Sequence, residues 1–185
     1  WQADPKIGKW INESFPAMFA AARRLKQPPD PRGHGGPLEY MNNRIEAIAA
    51  RHGRRSIRWE EAWYYSCCDS PTRTDPCPGG FVRGCQTSKD TIVHHWRAGN
   101  SWSGELAKLT SANGYDMITS AGWYLPGNAT EFYAIEPCAG LTKEACRHVL
   151  GGGAALWQHD PSTLISAAFP NSAVVAEVLW SAASA

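Results

Sequence analysis

Four short clusters in this chain pair an indole with groups that carry charge or hydrogen-bond: Trp59-Glu60-Glu61, Trp96-Arg97, Trp123-Tyr124 and Trp157-Gln158-His159-Asp160. An indole face is apolar and stacks on the apolar face of a pyranose ring, while polar neighbours orient its hydroxyls. Each cluster follows a short apolar run, so each reads as the carboxyl end of a strand. In a parallel α/β arrangement those ends converge on one face, and ligand sites form there. The pattern points to a sugar pocket. The bland alternative is an aromatic plug over a core, because Trp is highly buried on average. The charged or hydrogen-bonding residue that follows each Trp favours the pocket.

The elements that must position these clusters repeat as strand and helix. "LEYMNNRIEAIAARHG" sets Leu38, Met41, Ile45, Ile48 and Ala49 on one face and stops at Gly53, the pattern of an amphipathic helix with a glycine terminator. "SIRWEEAW" then reads as a buried strand entering a site, with Glu60 and Glu61 on opposite faces of it. "TIVHHW" is a second strand, "GELAKLTSANG" a short helix ending at Asn113-Gly114, "DMITSAGWYL" a third strand and "LTKEACRHV" a helix. "VLGGGAALW" is a fourth strand and "NSAVVAEVLWSAA" a closing helix capped by Asn171. Strands therefore begin near residues 56, 91, 116 and 148, the spacing of βα units in a parallel sheet. The fold class expected is α/β, with about four βα units forming the carboxyl-terminal half of a (β/α)8 barrel. A complete barrel takes roughly 250 residues, so an amino-terminal half outside this chain is expected to complete it. Residues 1–185 are then part of one barrel domain, with a helix and loop over 1–37 and a Cys-rich insertion over 67–85.

Composition narrows the partners. A formal net charge of +1 with no long run of one sign gives no footprint for nucleic acid or an anionic membrane surface. No stretch reaches the roughly 18 to 20 apolar residues of a membrane span. Cys67, Cys68, Cys77, Cys85, Cys138 and Cys146, with glycosylation acceptors at Asn12 and Asn128, favour the secretory route, extracellular or lysosome-like. Four of the cysteines crowd one Pro/Gly-rich loop, where two local bridges are the simple reading; Cys138 and Cys146 bracket a short helix and its loop. Zinc fits the spacing poorly, because there is no Cys-x-x-Cys pair, so no metal is expected. Gly151-Gly152-Gly153 lacks the Lys-Ser/Thr of a phosphate loop, and "GNSWSG" lacks the glycine spacing of a nucleophile elbow. No cofactor is expected. The opening "WQADPKIGKW" is not a charged-then-apolar leader, so a processed chain or part of a longer product is expected.

The ordered series "RWEEAW", "TIVHHWR", "ITSAGWYL", "LGGGAALW" and "FPNSAVVAEVLWS" resembles the carboxyl-terminal half of the β-N-acetylhexosaminidases of glycoside hydrolase family 20. "WQADPKIGKWI" resembles the segment after that family's catalytic acid pair, so the similarity covers nearly the whole chain except the cysteine loop. The resemblance implies a (β/α)8 barrel that removes terminal β-linked GlcNAc or GalNAc, with the substrate's own acetamido oxygen as nucleophile. It implies that Trp59, Trp96 and Trp157 box the N-acetyl group and that Tyr124 hydrogen-bonds its carbonyl oxygen. Trp123 and Glu61 match neighbouring motif positions with a supporting role. The Asp-Glu pair that orients the acetamide and protonates the leaving oxygen has no counterpart in this chain, so the amino-terminal half is implied as the partner that supplies it.

Three positions depart from the family pattern. Trp123-Tyr124-Leu125-Pro126 stands where the family has Trp-Tyr-Leu-Asn, and Gly151-Gly152-Gly153-Ala154 stands for Gly-Gly-Glu-Ala. Trp157-Gln158-His159 replaces Trp-Gly-Glu, whose carboxylate binds sugar hydroxyls; Gln158 or His159 is left to bond them. Losing a charge-assisted hydrogen bond costs about 1.5 to 3 kcal/mol. The alternative reading is a catalytically impaired glycan-binding or structural subunit of a larger homo- or hetero-oligomeric assembly.

Overall fold

The computed structural model describes residues 5–6, 9, 13, 36–67, 87–97, 107–108, 110–157 and 160–181. They fall into two units, residues 1–91 and 92–185. Asn12, Cys68, Cys77, Cys85, Gln158 and His159 lie outside the described residues.

In the first unit the helical spacing of residues 38–49 gives helix α1, Gly36–Arg51. It ends where Gly53 takes a φ of +62°, a left-handed turn that glycine adopts without a Cβ penalty. The apolar face expected to be buried is open: Met41, Ile45 and Ile48 are 51, 48 and 43% exposed. Strand β1, Ile57–Trp59, follows and turns Arg58 inward. The Arg58 guanidinium is buried, lying 3.4 Å from Glu46 and donating to the Asn42 carbonyl and to Ser56 Oγ. Burial pulls this guanidinium below its ordinary value, and Glu46 pushes it back up. Thr91 donates its hydroxyl to the same Glu46 carboxylate.

The chain then departs from the expected strand. Glu60–Cys67 is a helix, α2, so "SIRWEEAW" is a three-residue strand followed by a helical turn. Two carboxylates in a first turn suit the positive end of the helix dipole, and that preference outweighs the strand pattern here. The correction changes the faces: Glu60, Trp63 and Cys67, spaced i, i+3 and i+7, form one fully buried stripe, while Glu61 is half-buried.

In the second unit, β2 (Ile92–His95), β3 (Met117–Thr119) and β5 (Val149–Gly152) form a parallel sheet in that order. With β1, these strands begin within one residue of the positions expected. The apolar runs "DMITSAGWYL" and "VLGGGAALW" are not single strands, however. Each breaks: β4 (Tyr124–Leu125) leaves β3 through a turn at Gly122, φ +87°, and β6 (Ala155–Leu156) leaves β5 beyond Gly151, φ +141°. The two breaks are level, so β4 and β6 leave together and pair in parallel, Tyr124 opposite Ala155 and Leu125 opposite Leu156. A register shift at Met117/Ile118 accommodates Leu150 as the extra residue on β5. Gly152 has no room for a side chain: a Cβ there would lie 2.4 Å from the Thr119 carbonyl oxygen and 2.5 Å from the Trp123 ring.

The β4/β6 ribbon packs on α3 (Ala129–Tyr133) and on the last helix. Trp123, Leu125, Phe132 and Val175 are the buried centre, flanked by Ile135, Leu156, Val174, Val178 and Leu179. Helix α3 is capped by Asn128, whose side chain accepts from the Thr130 N–H at 3.0 Å. Helix α4, Lys143–Cys146, is capped by Thr142 and tied by the Cys138–Cys146 disulfide, as the bracketing cysteines suggested. A 3-10 turn (Pro161–Thr163), α5 (Leu164–Ala168) and α6 (Asn171–Trp180) close the unit. Asn171 is not the cap of α6: Pro170 holds that position, and the Asn171 amide donates instead to the Gly127 carbonyl at 2.6 Å.

Candidate active site

Within the second unit the carboxyl ends of the strands carry the groups singled out from the sequence. Beyond β2 comes Trp96, half-buried, with the Arg97 guanidinium 5.1 Å from its ring centroid in cation–π contact. Beyond β3 come Ser120 and the turn to Trp123. Ser120 donates its N–H to the His95 carbonyl at 2.8 Å, and its hydroxyl lies 3.0 Å from His94 Nε2.

Trp123 and Tyr124 part company. Trp123 is fully buried in the core, with its indole N–H donating to the Phe132 carbonyl at 3.2 Å. Tyr124 is half-buried. Leu125 and its partner Leu156 face the core, so strand alternation turns Tyr124 and Ala155 to the other side of the ribbon. Trp157 follows β6, two residues beyond Ala155. Its indole is 57% exposed, an open platform at the end of β6.

Asp160 follows Trp157 but is committed elsewhere. It caps the 3-10 turn, accepting from Ser162 N–H at 2.8 Å and Ser162 Oγ at 2.6 Å. These bonds hold its carboxyl below the usual carboxylate range, so it is an anchored carboxylate and not a proton donor near neutral pH.

In the first unit, Trp59 ends β1 with 45% of its surface exposed. Glu61 sits on the first turn of α2. A cavity of about 290 Å³ in this unit, lined by Glu46, Arg54, Arg55, Ser56, Asp90 and others, opens at the amino end of β1, away from Trp59. It takes in none of the residues expected to bind sugar.

Two features escaped the sequence. His148, with no partner signal in the sequence, has its Nδ1 2.9 Å from Asp116 Oδ1, joining the amino ends of β3 and β5. The His94 and Ser120 contact was equally hidden, although alternation in "TIVHH" could have put His94 and His95 on opposite faces of β2.

A catalytic-domain model of glycosyl hydrolase family 20 matches residues 1–183. The chain belongs to glycosyl hydrolase family 20. Similar proteins include beta-hexosaminidase subunit B1 of Dictyostelium discoideum, 38% identical over 98% of this chain, and beta-hexosaminidase subunit beta of Homo sapiens, 33% identical over 98%. Beta-hexosaminidase 3 of Arabidopsis thaliana is 27% identical over 97% of the chain. This family 20 chain spans 27 to 28% of the length of these relatives. The parallel α/β sheet is the architecture that the motif series led us to expect, and the Cys138–Cys146 bridge is the disulfide that its cysteines suggested.

Proposed function

We propose that this chain supplies the acetamido pocket of a glycosidase that releases terminal β-linked N-acetylhexosamine by substrate-assisted catalysis. Tyr124 donates to the acetamido carbonyl oxygen and fixes it against the anomeric carbon, while Trp96 and Trp157 wall the methyl group. Trp59 joins that box on its motif position. An apolar box that holds the methyl also holds the oxygen in a near-attack geometry, where positioning alone contributes many orders of magnitude. The carbonyl oxygen gives up electron density as it attacks, so the Tyr124 hydroxyl acts by orienting that oxygen and not by stabilising developing charge. Glu61 takes the supporting role that its motif position implies; Gln158 and His159 bond sugar hydroxyls. The observation that supports this reading is the β4/β6 register, which pairs Tyr124 with Ala155, two residues before Trp157, within a family 20 chain.

The proton for the leaving oxygen comes, in this proposal, from an Asp-Glu pair in the rest of a (β/α)8 barrel of which residues 1–185 form the carboxyl-terminal half. The disulfides at Cys67 and Cys138–Cys146 support a secretory, extracellular or lysosome-like setting, with glycans at Asn12 and Asn128. The full-length protein is expected to hydrolyse aryl N-acetylglucosaminide and aryl N-acetylgalactosaminide, and a thiazoline mimic of the oxazoline intermediate is expected to block it. Hydrolysis that the thiazoline leaves untouched would refute the substrate-assisted step.

One observation favours a second reading, a glycan-binding subunit without turnover. Gly153 stands where the resembling family has Glu, and a Cβ at Gly153 meets nothing within 4 Å. The backbone there has room for a side chain that this chain does not carry. Binding of the thiazoline by a full-length protein that hydrolyses neither glycoside would favour this reading.

A further inference from the structure

The face that carries Tyr124 holds a cross-strand contact that the proposed chemistry does not use. Ser120 is 3% exposed, and each of its polar groups is engaged. Its N–H goes to the His95 carbonyl at 2.8 Å, its carbonyl accepts the Trp123 N–H at 3.0 Å, and its hydroxyl meets His94 Nε2 at 3.0 Å. Either partner of the last contact donates, according to the imidazole tautomer. The Trp123 carbonyl in turn accepts the Ala155 N–H at 2.9 Å. A continuous series of hydrogen bonds thus runs from the His94 ring through Ser120 and Trp123 to Ala155, two residues before Trp157.

We propose that His94 is a positioning residue for the sugar site: through Ser120 it fixes the turn from which Tyr124 departs and to which β6 is tied by the Ala155 bond. The inference rests on the hexosaminidase reading above for its effect on turnover. The physical argument is one of satisfaction and rigidity. Removing the imidazole leaves a buried hydroxyl without its side-chain partner, which is costly, and the relief available is movement of Ser120. Ser120 cannot move alone, because its carbonyl holds the Trp123 N–H. The turn between them is short and already uses the left-handed conformation of Gly122. A shift there displaces Tyr124 directly and β6 through the Ala155 bond. The displacement needed is small, since misplacement by about 1 Å costs on the order of a hundredfold in rate.

The test compares His94→Leu, His94→Gln and Ser120→Ala in the full-length protein, by steady-state kinetics and by amide hydrogen exchange at Trp123 and Ala155. His94→Leu and Ser120→Ala are expected to lower kcat about tenfold with KM within about twofold, and the double variant to be no worse than either single one. His94→Gln keeps a hydrogen-bonding group and is expected to retain most of the wild-type kcat. Exchange at both amides is expected to accelerate in the Leu and Ala variants and to stay native in the Gln variant. Two results would overturn the proposal: a Gln variant as impaired as the Leu variant, or Leu and Ala variants with native kcat and native exchange. If the wild-type protein turns over neither glycoside, the hexosaminidase reading fails on that assay alone. The exchange comparison then decides whether His94 holds the turn, and native exchange in the Leu and Ala variants overturns it.

Discussion

Tyr124, Trp157 and Trp123 are three aromatic residues in one motif neighbourhood, and their burial separates what each substitution should do. Tyr124→Phe removes one orienting donor from a half-buried ring and keeps its packing, so kcat on an aryl N-acetylhexosaminide is expected to fall by about a hundredfold through misplacement of the acetamido oxygen, with the melting temperature unchanged. Trp157→Ala removes an exposed platform and is expected to raise KM about tenfold, again without loss of stability. Trp123, fully buried, belongs to the opposite class: its truncation should unfold the second unit, and a kinetic defect there would report stability and not chemistry. Asp160 gives a pH prediction of its own. Its folded carboxyl titrates below the ordinary value of 3.8 because Ser162 donates to it twice, so the cap is fully formed above that value and is lost as pH falls through the lower folded one. Ser162→Ala should return the Asp160 midpoint upward, read by carboxyl-carbon NMR titration.

At the scale of elements, adjacent glycines on and after β5 differ in what they tolerate. Gly152→Ala drives a Cβ into the Thr119 carbonyl and the Trp123 ring, and backbone cannot yield as a flexible side chain can. The expected loss is about 2 to 3 kcal/mol, seen as a lower melting temperature of the full-length protein. Gly153→Glu meets open space and should leave the melting temperature unchanged. This difference was illegible in "LGGGAALW", where the glycines look alike. Strand beginnings were legible because alternating β-branched and apolar residues carry a local signal. The breaks after Thr119 and Gly152 were not, because two-residue strands have no period and the break depends on pairing across the chain. Helix α2 was missed for a related reason: Glu60 and Glu61 extend a plausible strand pattern, and only their place at a helix amino terminus explains them. Asn171 fits every preference for a cap, yet Pro170 occupies the position and the amide is used to tether Gly127.

For the whole molecule, the exposed stripe of Met41, Ile45 and Ile48 on α1 sets the expectation. Three large apolar side chains on one helix face are normally covered, and an uncovered stripe binds hydrophobic dyes. The 185-residue chain by itself is expected to enhance the fluorescence of anilinonaphthalene sulfonate, and the full-length protein, with that stripe covered, is expected to do so far less. Equal enhancement by the two would show that the rest of the protein does not cover α1. The clusters proposed to bind sugar could be singled out in the sequence because their signal is local, an indole beside a polar group. The tie from His94 to Ser120 could not, because it joins residues 26 apart in sequence that meet only across a parallel pair. The close approach at Gly152 bears on mutability as well as on stability. Any side chain at residue 152 presses on the Thr119 carbonyl and the Trp123 ring, whereas a Cβ at residue 153 meets no neighbour. A library randomised at both positions is therefore expected to return folded proteins that vary at residue 153 and keep glycine at residue 152.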